Sequence, residues 1–191
     1  MVEHDATKAK IVQTLTDVLK NNSLDQITVG TVAEAANISR QTFYYHFNNL
    51  TKVYLWAVSS KMRYGLTEYA GLIALDPSEY IIDACNAMKS NYVLTMAFLS
   101  SHQVEILDVF RDYFYNASRV SLLYVMGNSA PTKDIELLAS FLAGGYVGIV
   151  FRWIRGGMKE DIADIIGAIF SICRGTMSTD IVQRISAIQQ Q

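Results

Sequence analysis

Apolar residues recur along the chain at intervals of three and four, the spacing that places side chains on one face of an α-helix. Near the start, Ile11, Leu15 and Val18 follow this spacing, and a longer apolar stripe begins at Leu50. No run of strand length shows the alternation of apolar and polar residues that a half-buried strand requires. The pattern therefore predicts an all-α protein.

Capping and breaking residues divide the predicted helices. The segment DPSE at residues 76–79 is typical of a helix N-terminus, because aspartate can cap, proline suits the first helical position and glutamate completes a capping box. The segment GNSAP at 127–131 and the glycine pair at 156–157 predict two breaks. A last short helical segment is predicted at 181–188, before a glutamine-rich tail.

The segment TVGTVAEAANISRQTFYYHF, which starts at Thr28, predicts two short helices joined by a tight turn. Thr28 can cap the first helix and Ser39 the second. Asn37 lies at the turn, where asparagine tolerates the left-handed backbone. Phe43 and Phe47 are four residues apart and should face the core. Two helices joined in this way form a helix-turn-helix, whose second helix enters the major groove of DNA.

The remaining side chains of this segment are suited to DNA. Glutamine and threonine can read base edges, arginine can bond guanine, and the hydroxyls and the imidazole can donate to phosphates. The alternative is an aromatic packing cluster, but four successive rings cannot all face one core on a helix. The candidate DNA-binding residues are Thr28, Ser39, Arg40, Gln41, Thr42, Tyr44, Tyr45 and His46.

The segment AEAANISRQTFYYHF, from Ala33 to Phe47, resembles the N-terminal DNA-binding domain of the TetR family of bacterial transcriptional regulators. The similarity extends over roughly residues 8–58. The family usually has glycine at the turn, where this chain has Asn37. Many members have a lysine four residues after the histidine, where this chain has Leu50. The nearest candidate for that phosphate contact is Lys52.

The resemblance implies an Ω-shaped, all-α homodimer. A three-helix domain with the helix-turn-helix would occupy residues 1–50, and a helical regulatory and dimerisation domain residues 51–191. The second domain would hold a ligand pocket, and its last two long helices would form the dimer interface. The run GGYVGIVFRWIRGG from Gly144, together with Asn91-Tyr92 and Trp56, is similar to the branch that includes the dihydroxyacetone-kinase regulators.

Three glycines interrupt the apolar stretch at residues 137–151. Each lowers helix propensity by about 1 kcal/mol relative to alanine. Close approach of another backbone should offset this loss, either across a dimer interface or inside one subunit. The candidate dimer residues are Gly144, Gly145, Gly148, Ile162, Ile166, Ile169 and Phe170.

The second half of the chain is rich in aromatic residues and methionine. Most of them should form the core, and a few could line an apolar pocket with polar tips. The candidate pocket residues are Tyr92, Met96, Phe110, Phe114, Tyr124, Phe141 and Tyr146. Arg152 and Arg155 lie on a largely apolar helix and either extend their charged ends to solvent, pair with acidic neighbours or bind an anionic ligand group.

The net charge of −2 argues weakly against a nucleic-acid partner, since such proteins usually carry a basic excess. The charge is unevenly distributed, however. Residues up to Arg63 contain 7 basic and 5 acidic side chains, and the rest contain 9 basic and 13 acidic. The net charge of the whole chain therefore conceals a weakly basic N-terminal part and an acidic remainder.

Several classes of protein are not supported by the sequence. It contains no P-loop, nucleophile elbow or GxGxxG, and its three histidines lack metal-ligand spacing, so we expect no enzyme, cofactor or metal. The stretch 137–151 is shorter than the roughly 20 residues that cross a bilayer, which favours a buried helix. Residues 1–10 lack the apolar region of a signal peptide. We therefore expect a cytoplasmic protein with no membrane contact.

The leading hypothesis is a ligand-responsive repressor that binds a palindromic operator as a homodimer. Its effector would be an unknown small molecule or a protein co-regulator. One alternative is an activator controlled by a protein partner. Another is a dimeric small-molecule binding protein that no longer binds DNA.

Overall fold

The computed structural model describes residues 2–62, 77–126 and 131–177. Within these ranges every regular element is helical, which confirms the predicted all-α fold. A short 3-10 turn at Leu24–Gln26 follows the first helix. The helices are α1 (Val2–Leu19), α2 (Val29–Ala35), α3 (Arg40–His46), α4 (Leu50–Ser59), α5 (Pro77–Ser90), α6 (Tyr92–Ser101), α7 (Gln103–Met126), α8 (Thr132–Arg155) and α9 (Ile162–Met177).

Helices α1, α2 and α3 pack against one another and form what we call the head. Its core contains Ile11, Leu15, Val32 and Phe43, each fully buried, with Phe47 almost so. Phe43 and Phe47 therefore face the core as predicted. Because α2 and α3 each have only two turns, this shared core rather than helix propensity holds them in place.

Helices α5 to α9 form the body. The two longest, α7 and α8, have 24 residues each and pack along each other. Helix α9 packs against α5 on another side of the body. Rings of Tyr80, Phe98, Tyr113 and Phe114 are fully buried in the body core.

Helix α4 connects the head to the body, since it packs against α1 on one side and against α5 and α6 on the other. It begins at Leu50. The predicted domain boundary between residues 50 and 51 therefore coincides with the start of a helix that both parts share.

The helix boundaries agree with the predicted breaks where the structure describes them. Helix α5 begins at Pro77, and α8 ends at Arg155, before Gly157 with a φ of 82°. The predicted cap at Asp76, residues 127–130 of the second break and the predicted segment 181–188 lie outside the described residues.

Helix α8 is long and apolar enough to cross a membrane by length and composition, a test that core helices of soluble proteins also pass. Helices α6 and α7 pass that test only as a pair, and the chain bends by 114° between them. In the most apolar window of α8, 33% is buried inside the single subunit, so one of its faces is not covered by the subunit itself. Leu137 and Phe141 are 69% and 75% exposed there.

Candidate nucleic-acid interface

The turn between α2 and α3 has the backbone that a helix-turn-helix requires. Asn37 has a φ of 51°, in the left-handed region that asparagine tolerates better than most residues. The N–H of Ile38 then donates to the carbonyl of Ala33 at 2.9 Å, which closes the end of α2. The side chain of Ile38 packs against the core, as predicted for the residue between the two helices.

Both predicted N-caps are present. Thr28 Oγ1 accepts from the N–H of Thr31 at 3.1 Å, and Ser39 Oγ accepts from the N–H of Thr42 at 2.9 Å. The hydroxyls of Ser39 and Thr42 also share a hydrogen bond of 2.8 Å. These side chains therefore fix the starts of the two helices, and both Thr28 and Ser39 are exposed.

The loss of one cap should be measurable. Replacing Ser39 by alanine should lower the free energy of unfolding by about 1 kcal/mol, because the first N–H groups of α3 lose their acceptor. Urea unfolding followed by circular dichroism would check this. Ser39→Asp, which restores an acceptor, should recover most of the stability, and equal losses in both variants would contradict the capping role.

One face of α3 is exposed and polar. Gln41 is exposed, and the rings of Tyr44 and Tyr45 are 54% and 74% exposed although they are large and apolar. These positions are three and four residues apart and so share a face opposite the fully buried Phe43. The predicted outward direction of both tyrosines is thus confirmed. His46 is half-buried and packs edge-on against Tyr45, with 5.0 Å between ring centroids.

Arg40 is the first residue of α3, and its side chain extends beyond the exposed face of that helix. Its side chain is exposed, and its guanidinium reaches back to Gly30 in the first turn of α2. Arg40 thus links the two helices of the motif across their exposed side.

Lys52 is exposed in the first turn of α4. Asn49 caps this helix, its Oδ1 accepting from the N–H of Lys52 at 2.9 Å. Lys52 lines an open cleft of about 790 Å³ between head and body, which also contains Lys8 and Asp112. The ammonium of Lys8 lies 5.7 Å from the ring centroid of Trp56. Lys8 is not among the residues predicted from the sequence to contact DNA. It is far from Trp56 and Lys52 along the chain, so no local motif signals that it shares this cleft.

The six candidate pocket residues with described side chains do not line one common cavity. Phe110 and Phe114 are buried and line a cavity of only about 10 Å³. Met96 lies at a separate cleft near Arg155, and Tyr92 lines a cleft between α1, α4 and α6. Tyr146 is buried and stacks on Phe170, Phe141 is exposed, and the side chain of Tyr124 lies outside the described residues. Helical position explains this scatter, since these residues point in different directions from their helices.

The candidate dimer residues fall into two groups. Among the described residues, a Cβ added at Gly144, Gly145 or Gly148 would meet nothing within 4 Å, so close packing against this part of the subunit does not explain these glycines. Ile162 and Ile166 are buried in the subunit's own core, which corrects their assignment to the dimer interface. The apolar face of α9 is turned toward α5 rather than outward. Ile169 and Phe170 are half-buried.

The two arginines of α8 are both exposed, at its C-terminal end. The guanidinium of Arg155 lies 5.4 Å from the ring centroid of Phe151, a cation–π contact within its own helix. Neither forms a carboxylate ion pair within the described parts of the chain. The exposed guanidiniums instead fit the other alternative, arginines that extend from an apolar helix into solvent.

A small all-helical head with an exposed, doubly capped helix-turn-helix on a larger helical body defines a DNA-binding regulator. Residues 76–175 match the family model TetR_C_8, the C-terminal region of a transcriptional regulator. The chain therefore belongs to the TetR family of transcriptional regulators.

Solved structures share this fold at low sequence identity. The dihydroxyacetone kinase operon activator DhaS aligns with a TM-score of 0.63 and 16% identity over 90% of this chain and 96% of its own. NalD of Pseudomonas aeruginosa, the secondary repressor of the MexAB-OprM multidrug efflux pump, aligns with a TM-score of 0.59 and 12% identity over 90% and 97%. The fatty acid degradation regulator FadR from Bacillus halodurans gives 0.54 and 18% over 86% and 93%. Among curated proteins, no sequence matches the chain.

Proposed function

We propose that the chain binds a palindromic DNA operator as a homodimer and represses transcription until an effector acts on the body. The observation that carries this proposal is the exposed face of α3. Gln41, Tyr44 and Tyr45 project from a helix whose start is capped and whose opposite face is fixed in the core by Phe43. A rigid helix with polar, aromatic and uncharged side chains on its free face is suited to the major groove.

The candidate residues divide into two kinds of contact. Gln41 and Thr42 are placed near the start of α3, from which a recognition helix reads base edges. Tyr44, Tyr45, Ser39 and Thr28 carry hydroxyls suited to phosphate oxygens, as do His46 and Lys52 with their nitrogens. As such a regulator, the chain would act in the cytoplasm and would need no catalytic residue, metal or cofactor.

The outer face of α8 supports the homodimer. Leu137, Phe141, Gly144, Gly145 and Gly148 lie on one side of this helix, and all of them are exposed. Two large apolar side chains beside a strip without side chains allow a partner helix to approach closely. Gly167 and Ala168 of α9 are also exposed, and a Cβ on Gly167 would meet nothing within 4 Å. A second copy of this chain would cover these faces in the proposed dimer.

Effector response is supported by the way α4 is attached to the body. Thr51 Oγ1 donates to Glu105 Oε2 of α7 at 3.2 Å, and Tyr54 OH donates to Thr95 Oγ1 of α6 at 3.3 Å. One turn further, the carbonyl of Ala57 accepts from Asn91 Nδ2 at 3.1 Å. These three α4 residues are spaced by three and share one face. A shift of α6 or α7 on effector binding would therefore move α4 and the head with it.

An activator controlled by a protein partner is the second candidate. The buried cavity lined by Phe110 and Phe114 measures only about 10 Å³, too small for an organic effector without rearrangement, and the open cleft beside it at Met96 and Arg155 measures about 250 Å³. Adding candidate metabolites and, separately, the products of neighbouring genes to the DNA complex would distinguish the two modes. Release by a metabolite supports the repressor, and DNA binding that requires a protein supports the activator.

Two variants should separate base reading from phosphate contact. Gln41→Ala should reduce discrimination at one base pair per half-site by about 1–3 kcal/mol, if its amide reads a base edge. Tyr45→Phe should weaken binding to all sequences to a similar degree, because a phosphate contact carries no sequence information. Binding to a panel of single-base operator variants would check both. A change of preference at one position for Tyr45→Phe would contradict its assignment.

The proposal as a whole is tested by the binding of the purified chain to DNA that flanks its own gene. We expect a complex of one dimer per site at low salt, with competition by unlabelled specific DNA. The dependence on salt should be shallow, because few full charges contribute per subunit. Absence of any complex at low salt would contradict every DNA-binding version of the function.

A further inference from the structure

The guanidinium of Arg40 occupies the space that a side chain at residue 30 would take. A Cβ added to Gly30 would lie 3.0 Å from both Cζ and Nε of Arg40, and closer still to its Nη2. The arginine therefore does not extend outward from the start of α3. It lies against the backbone of α2.

The backbone at Gly30 does not require glycine. Positive φ values in the described parts of the chain occur at Asn37, Gly157 and Met158, and Gly30 is part of the regular helix α2. Glycine inside a helix is less favourable than alanine. A glycine at position 30 leaves this space open for the flexible end of the Arg40 side chain.

Arg40 keeps its charge available in this position. Within the described part of the chain, no carboxylate forms an ion pair with its guanidinium, which is exposed. The neighbouring hydroxyls of Thr28 and Thr31 bond each other at 3.0 Å and remain exposed beside it. A planar guanidinium with free N–H groups is suited to the oxygens of a phosphate.

The location of the Arg40 guanidinium on α2 favours a contact with a DNA phosphate over a contact with a base. In a helix-turn-helix the second helix enters the major groove, whereas the first crosses the sugar-phosphate backbone. We infer that Gly30 is a positioning residue, because it leaves room for Arg40 to lie on the first helix as a phosphate contact, and that Arg40 does not read a guanine. This inference rests on the proposed DNA-binding function and adds the role of two residues to it.

A double-variant comparison tests the inference without knowledge of the operator. The probe is a random-sequence DNA duplex, whose affinity for the full chain is measured between about 50 and 200 mM salt. Arg40→Ala should reduce the salt slope by about 0.9 per subunit, whereas Arg40→Lys should retain it. Gly30→Ala should weaken binding by about three- to tenfold at low salt and lose part of the slope.

The combination of the two changes reports whether Gly30 acts through Arg40. In the Arg40→Ala background, Gly30→Ala should have no further effect on affinity. Gly30→Ala should also raise the melting temperature, because alanine favours the helix. A matched control is Ala35→Ser, a small change at another exposed position of α2, which should leave slope and affinity unchanged.

Each result has a definite meaning. If Gly30→Ala weakens binding equally with and without Arg40, Gly30 does not position that side chain and the inference is wrong. If Arg40→Ala leaves the slope unchanged and instead alters preference at one base pair of a selected site, Arg40 reads a base. If the unaltered chain does not bind the duplex at low salt, the proposed function fails and the inference fails with it.

Discussion

Replacing Phe43 by alanine should lower the free energy of unfolding by about 3–5 kcal/mol and abolish DNA binding. The Phe43 ring is 0% exposed and contacts Phe47 at a centroid distance of 6.2 Å, at the centre of the head. Helix α3 has seven residues, too few to be stable alone, so its position depends on this contact. Urea unfolding by circular dichroism measures the stability, and duplex binding measures the function.

The neighbouring tyrosine provides the matched control. Tyr44 also packs edge-on against Phe43, at 5.9 Å, yet it is 54% exposed. Tyr44→Ala should therefore cost at most about 1 kcal/mol of stability while it still weakens DNA binding. A Phe43→Ala chain that unfolds like the parent and binds DNA normally would contradict the account of the head. So would a Tyr44→Ala chain as unstable as Phe43→Ala.

Replacing Gly145 by leucine should weaken the dimer by about 2 kcal/mol or more, at least roughly 30-fold in Kd. In one subunit the new side chain would point into open space, so the subunit should fold normally. Leucine is also a better helix former than glycine. The loss would therefore come from the proposed partner, whose backbone approaches this strip. Sedimentation velocity over a range of concentrations would measure it.

Asn86→Leu is the control for the dimer. Asn86 is exposed on α5, away from the exposed face of α8, and the change adds the same side chain to another surface. This variant should remain dimeric at the parent's affinity. An unchanged dimer for Gly145→Leu would exclude the proposed interface, and dissociation of both variants would show a general surface effect.

Local chemistry made the head predictable. The caps at Thr28 and Ser39, the turn at Asn37 and the core direction of Phe43 each depend on residues within five positions along the chain. Such short-range rules act before any tertiary contact is considered. The face of α3 could therefore be assigned from sequence, and the structure confirms its exposure.

The body was less predictable, because the sequence of an apolar helix face does not indicate whether the same subunit or a partner subunit covers it. Ile162 and Ile166 form a clear stripe, but the stripe packs on α5 of the same subunit and not on a partner. The glycines of α8 left two explanations open, and the open space around them disfavours close packing against the described part of the subunit. The bond between Thr51 and Glu105 joins residues 54 positions apart, and nothing local signals it.

The position of Arg40 shows how a chain with little positive charge could still contact the phosphates of DNA. The net charge of −2 argued weakly against DNA, and residues up to Arg63 carry an excess of only two positive charges. The guanidinium of Arg40 lies on α2 and forms no carboxylate ion pair in the described part of the chain. It therefore places one of those positive charges where the sugar-phosphate backbone of DNA would pass. Few charges in defined positions, with hydroxyls beside them, are enough for a dimer that binds two half-sites.

The central claim is that the exposed face of α3 reads a palindromic DNA site as part of a dimer. Selection of binding sites from a pool of random duplexes, followed by sequencing, tests it most directly. The account predicts an enriched motif of two inverted half-sites whose centres are separated by about one helical turn or a multiple of it. Gln41→Ala should relax one symmetric pair of positions in that motif. A pool with no enriched motif, or a motif unchanged by Gln41→Ala and without symmetry, would contradict the claim.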